Sequence, residues 1–480
     1  LDMSEAGAAS FNGSVTVGAN LDVSSGTIKL DGNFPTGTDN VALGNAALSG
    51  GSFSGSGNIA IGDSVGDAIT SGTNAVAIGR DALGGVYTGS DAIAIGRSAL
   101  AALTSGSNNV AIGALAGTSL TEGLQNVLIG ANAGDALDDA DFNVAIGQSA
   151  LTGDTKGSRS VAIGHGALSV QNFTSATNSN NTAVGFSAGE NVTTGTVNTL
   201  IGSGAGDALT EGNNNTAVGY VALSGDTLGD RSVAIGRGTL QAQNFTSSTD
   251  TYNTAVGYGA GTSVTTGTQN TLIGGTVGDA LTDADFNVAV GYNSLGTDTL
   301  GSRSVAIGYE ALKTQNFTSA TNSYNTAVGF HAGNDITTGL QNTLMGGLTG
   351  DHLTDADNNT AYGYAALTAD TKGSKSTAIG QGTLAAQNFT SATDSHNTAV
   401  GYQAGASVTT GIANTFIGSI SGDANTIGGE NVALGYGALG SNVSGDRSTA
   451  IGYLALAAQN NGTTTFDADN TAVGFNAMVS

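Results

Sequence analysis

Residues Ser160-Val161-Ala162-Ile163-Gly164 return unchanged as 232 to 236 and 304 to 308, and as the close variant Asn-Thr-Ala-Val-Gly at 181 to 185, 253 to 257, 325 to 329 and 397 to 401. The fold turns on how this short run is spaced. Its closing glycine falls 25 times between Gly44 and Gly474, 17 residues apart almost throughout. After Gly164 every fourth step lengthens to 21, which gives a superrepeat of 72 residues and a final one of 73. Self-similarity on this scale marks a solenoid, in which each repeat is one turn of the chain stacked on the last.

The three residues before the glycine read as a strand. The first is Val, Ile or Thr in all 25 coils, the second is Ala in 20, and the third is Val, Ile or Leu in 23, with Met345 and Tyr362 as the exceptions. β-Branched residues favour extended backbone, and alternation with period two separates two faces. The alternation predicts β-branched side chains in a core and an outer face of alanine, on which neighbouring chains would pack. Leu128, Leu200, Leu272, Leu344 and Phe416 replace the alanine at intervals of 72 and are expected as knobs on that face. A second apolar segment after the glycine, such as Ser149-Ala150-Leu151, is read as a second strand, so that each coil has two strands and two turns. Asn precedes the first strand in 18 coils and Ser in five, a corner suited to left-handed turns and amide ladders.

Composition agrees with a thin, repetitive structure. The 480 residues include 77 glycines, one proline, and neither cysteine nor tryptophan, which leaves little bulk for globular cores. The net charge of −25 argues against nucleic acid and anionic membrane surfaces as partners, and no apolar run is long enough to span a bilayer. At about 4.8 Å per coil the rod is about 115 to 120 Å long, and each superrepeat advances about 19 Å. The chain opens at Leu1 and stops within a repeat at Ser480, and it is read as a piece of a longer protein. The fold expected is therefore all-β, a parallel β-roll or β-solenoid over residues 39–480, preceded by an N-terminal β connector over residues 1–38.

The run Ser-Val-Ala-Ile-Gly at 160 to 164, 232 to 236 and 304 to 308 resembles the head repeat of trimeric autotransporter adhesins. The variant at 253 to 261 and 397 to 405, with the opening stretch 11 to 23, resembles tail-fibre proteins of marine bacteriophages. The resemblance implies a left-handed roll, three chains per fibre, an extracellular position on a virion or cell surface, and adhesion or projection rather than chemistry. The partner it implies is the chain itself, with a cell-surface glycan or protein as receptor. A viral tail-fibre-like segment is the first expectation, a bacterial trimeric adhesin head the alternative, and an ice-binding solenoid a remote third, because 182 to 184 and 254 to 256 do not offer Thr-Xaa-Thr arrays.

No catalytic constellation is expected. Gly185 to Gly189 matches the Gly-Xaa-Ser-Xaa-Gly nucleophile elbow, but its sister positions carry Gly259, His331 and Gln403 in place of Ser187. His165, His331, His352 and His396 occupy four different places in the coil and form no zinc ladder. No cofactor is expected. The one metal weighed is calcium, at Asp139 and Asp141, Asp283 and Asp285, and Asp355 and Asp357, where oxygens alternate but the pattern of a calcium loop is incomplete, so that turn-capping is the plainer reading. Arg159, Arg231, Arg303, Lys375 and Arg447 recur every 72 residues, with Asp154 or Asp230 as the expected acidic neighbours. Aromatic residues follow the marker glycine in many coils, and Tyr258, Tyr292, Tyr309 and Tyr402 are candidates for a binding stripe. Phe173, Phe245, Phe317 and Phe389, in the four-residue insertions, are either further binding positions or pins that hold each loop to the rod.

Overall fold

The computed structural model describes residues 38–50, 53–460, 462–464 and 466–478, so the expected connector, Thr38 apart, lies outside the described residues. Within them the chain is all-β. Three-residue strands from Val41–Leu43 to Thr471–Val473, one per coil, form a single 25-stranded parallel sheet. Each residue pairs with its counterpart one coil on: Val110 with Val127, Ala111 with Leu128, and Ile112 with Ile129. The period read from the sequence is thus the period of the solenoid.

The two faces of the strand are the reverse of the expectation. Alanine at the second position points inward and is fully buried in coil after coil, as at Ala94, Ala111, Ala145 and Ala162. The β-branched residues on either side point outward and are half-buried or exposed. The alanine face therefore cannot be a surface for neighbouring chains. The reason is thickness, since the coil interior is shared between the strand and apolar residues arriving from the opposite side, and where those residues are large a methyl group fills the space left beneath the strand.

Those opposing residues come from the segment after the glycine, which is a turn rather than the expected second strand. Ser149 and Leu151 have φ of 55° and 56°, in the left-handed region, and a strand cannot alternate in this way. Its N–H groups bond both ways along the rod, Ser149 to the carbonyl of Ala131 in the coil before and Leu151 to that of Ala167 in the coil after. The strain of a leucine at positive φ is offset by burying its whole side chain. The marker glycine is required on separate grounds: a Cβ on Gly130, at φ 136°, would lie 2.4 Å from the carbonyl oxygen of Gly147.

The knobs fit the same interior. Leu272 points inward and is fully buried, and a Cβ on Gly261 or Gly278 would come within 2.8 and 2.9 Å of its methyl groups. Those glycines stand where other coils carry a buried leucine at the same φ, such as Leu240 and Leu295. One coil in four thus exchanges an alanine for a leucine, and that coil and the one before it give up a side chain in the turn to make room.

At the corner before each strand the buried asparagines form a ladder. The Asn109 Oδ1 accepts from the backbone N–H of Asn126 at 2.9 Å, and the Asn126 Oδ1 accepts from that of Asn143 at 2.9 Å. The Asn126 Nδ2 donates along the rod, at the same corner one repeat on, to the carbonyl of Ala140 at 2.8 Å. One side chain therefore satisfies a buried donor and a buried acceptor that the turn leaves unpaired.

The superrepeat that carries Phe416 breaks the pattern once. Asn425 stands where earlier superrepeats bury Leu209, Leu281 and Leu353, and both polar atoms of its side chain are buried without a partner among the described residues. Asn425→Leu should raise stability by about 1–3 kcal/mol, the cost of leaving such groups unsatisfied, which chemical denaturation will read as a higher midpoint. Gly278→Ala should be destabilising in the natural protein and less so beside Leu272→Ala. A double-mutant cycle should return a coupling of about 1 kcal/mol, and additivity would argue against the packing described.

Candidate binding surfaces and the buried polar relay

Each four-residue insertion lies in the coil that follows a serine corner, and the two features are one device. The Ser160 N–H donates to Asn143 Oδ1 at 2.8 Å, but its side chain has no amide with which to continue the ladder. Gln171, brought inward by the longer loop, takes over. Its Nε2 donates to Ser160 Oγ at 2.8 Å and to Asp154 Oδ2 at 2.5 Å, and its Oε1 accepts from Asn181 Nδ2 at 2.8 Å. The same relay recurs at Asp226, Gln243 and Asn253, at Asp298, Gln315 and Asn325, and at Asp370, Gln387 and Asn397. The insertion also adds a short parallel pair, Gly157–Ser158 with Thr177–Asn178.

Phe173, Phe245, Phe317 and Phe389 are buried, Phe173 to 6% exposure, so their rings pin the loops and are not available at the surface. Asp154 is fully buried and accepts from the N–H groups of Gly157 at 3.0 Å and Phe173 at 3.2 Å, and thus does not pair with Arg159. Asp230 likewise serves the backbone of Asn213, while Arg231 pairs with Asp250, Lys375 with Asp394 at 2.6 Å, and Arg447 with Asp467 at 2.7 Å. These basic residues are exposed corner positions at positive φ, and Arg303 lies over the Phe286 ring at 4.6 Å.

The carboxylates weighed for calcium are engaged in bonds between coils. Asp141 accepts from the N–H of Leu124 at 2.7 Å, Asp285 from that of Thr268 at 2.7 Å, and Asp357 from that of Leu340 at 2.7 Å. Asp139 lies 3.8 Å from Lys156, Asp283 accepts from Thr266 at 2.7 Å, and Asp355 lies 3.6 Å from Lys372. No group of three or more acidic or histidine side chains placed to hold a metal occurs among the described residues. Ser187 sits in a turn at φ 51°, with no helix after it.

Two surfaces remain open. One is the outer face of the sheet, two in-register ladders of Val or Thr and of Ile or Val running the length of the solenoid. The other is the edge beside it, formed by the residue after each marker glycine. Tyr258, Tyr292, Tyr309 and Tyr402 all lie here and are exposed, Tyr258 to 59%. Tyr292, Tyr309 and Phe330 stack in sequence, with centroids 5.5 and 5.5 Å apart. The sequence shows this stripe but not its order, since stacking depends on how each ring leans along the rod.

No protein-family model matches this chain, and no curated protein matches it.

Burial raises the pKa of the Asp154, Asp226 and Asp298 carboxyls above the ordinary carboxylate value, against the hydrogen bonds that lower it. A carboxyl whose pKa is higher folded than unfolded contributes most stability below the unfolded value and loses it as pH rises through the folded one. Acidification from neutrality should therefore stabilise these relays. Asn442 occupies the same place in the last superrepeat, bonded to the N–H of Gly445 at 2.9 Å. Replacing all three by Asn should change stability at neutral pH by about 1 kcal/mol per site and should flatten the gain on acidification in a pH series of denaturation midpoints.

Proposed function

We propose that this chain is a structural, adhesive fibre segment, a rod that carries or projects receptor-binding surface, assembled from three copies along the outer face of the sheet. The observation that carries the reading is that face. Ile235, Ile273 and Ile307 stand exposed, and their counterparts exposed or half-buried, in a continuous row on a chain whose own core is complete without them. In-register rows of β-branched side chains are suited to pack face to face with a second sheet about 10 Å away. An apolar strip of this length exceeds what a monomer ordinarily leaves in water. Three copies close around an axis and cover all three strips at once.

The likeness of Ser160 to Gly164 to trimeric adhesin heads supports the same number of chains, and the likeness to viral tail fibres favours a virion appendage over a bacterial adhesin head. The outward ladders also keep an ice-binding reading in view, since they repeat at regular spacing, although they set Thr against Val, as at Thr182 and Val184. Thermal hysteresis in a cooled solution of the protein would select that reading.

Light scattering should give about three times the 46.7 kDa of one chain. Ile235→Lys, Ile273→Lys and Ile307→Lys together should reduce the mass to that of one chain without loss of the β signal in circular dichroism. A natural chain that runs as a monomer would overturn the trimer.

A further inference from the structure

The residue after the marker glycine follows a rule of four along the rod. The coil after each insertion supplies an aromatic ring, as at Tyr258, and the coil two further on supplies another, as at Tyr292. The coils between these rings alternate in kind. In one set the residue is long or flat, Arg237, Tyr309, Gln381 or Tyr453, and Arg237, Tyr309 and Tyr453 each lie against the rings on both sides. In the other it is only Ser203, Gly275, Gly347 or Ser419.

The filled places show what the spacing accepts. The Arg237 guanidinium lies between Tyr220 and Tyr258, 5.7 and 5.5 Å from their centroids, and donates to the Tyr258 hydroxyl at 3.0 Å. Tyr309 lies between Tyr292 and Phe330 at 5.5 Å from each. The residues that carry the rings on either side of Gly275, Tyr258 and Tyr292, stand the same two coils apart, about 10 Å, with no side chain from residue 275 between them. A Cβ there would meet only the Tyr292 ring, at 3.5 Å, which is ordinary contact.

We propose that the four places over Ser203, Gly275, Gly347 and Ser419 are binding slots for arginine side chains of a partner polypeptide. A guanidinium is flat, weakly hydrated and attracted to ring faces, and one is seen in the equivalent position of this chain. The net charge of −25 draws basic partners towards the rod. The slots recur every 72 residues, about 19 Å apart, so that a partner with arginines about six extended residues apart can enter neighbouring slots and bind with avidity. The slots are built within one chain and do not depend on the trimer.

The test titrates the intact protein with a peptide carrying arginine at every sixth position, followed by tyrosine fluorescence and calorimetry. The same peptide with lysine, and a neutral oligosaccharide, are the comparisons. The arginine peptide should bind at least about tenfold more tightly than the lysine peptide. Filling the slots with Ser203→Arg, Gly275→Arg, Gly347→Arg and Ser419→Arg should abolish that binding while native mass and circular dichroism stay unchanged. Equal binding of the lysine peptide would reduce the effect to general charge, and binding by the filled variant would place it elsewhere. Binding of the oligosaccharide in place of the arginine peptide would make the slots sugar sites. Each of these three results overturns the proposal, as does an absence of binding.

Discussion

Each coil must lie directly over the one before it, because its strand and its corners are hydrogen-bonded to the same atoms one repeat earlier. Parallel pairing sets the axial rise, and the buried asparagine fixes the corner by answering both a donor and an acceptor at the same corner one repeat on. A coil cannot grow or shrink in cross-section without losing these bonds. Variation is therefore confined to changes that keep the outline.

The superrepeat is a set of such changes. The larger side chain at Leu272 is accommodated by Gly261 and Gly278, where any side chain would collide with its methyl groups. The four inserted residues leave the outline as a loop, yet return Gln171 to the interior to complete the polar bonds that Ser160 cannot make. The buried charge of Asp154 persists because two backbone N–H groups and an amide surround it.

The period, the strand, the glycine corner and the asparagine ladder were all legible in the chain, since each depends on a residue type recurring at one place. The direction of the strand was not. In a three-residue strand, two β-branched residues flanking an alanine look like a core face with a small outer neighbour, and hydrophobicity alone prefers that reading. The contrary signal was present in the pairing of Leu128 with Gly117 and Gly134, at coil positions that elsewhere hold Leu100 and Leu151. Volumes that compensate must touch. The identity of Asp154 as a buried group was hidden because its partner, Gln171, lies in a loop whose path local sequence does not define, and the slots beside the sheet appear only once each coil is placed over the next.

Tyr362 is the one aromatic residue on the outward row at the third strand position, next to Met345, and it stands 56% exposed among valines and isoleucines. A near-perfect repeat is ambiguous to anything laid along it, since a shift of one superrepeat meets almost the same surface. Two copies sliding past each other would find several alignments of nearly equal energy. A single large ring breaks that degeneracy, because only one alignment sets Tyr362 of each copy at the same height, and the rod carries its own index mark.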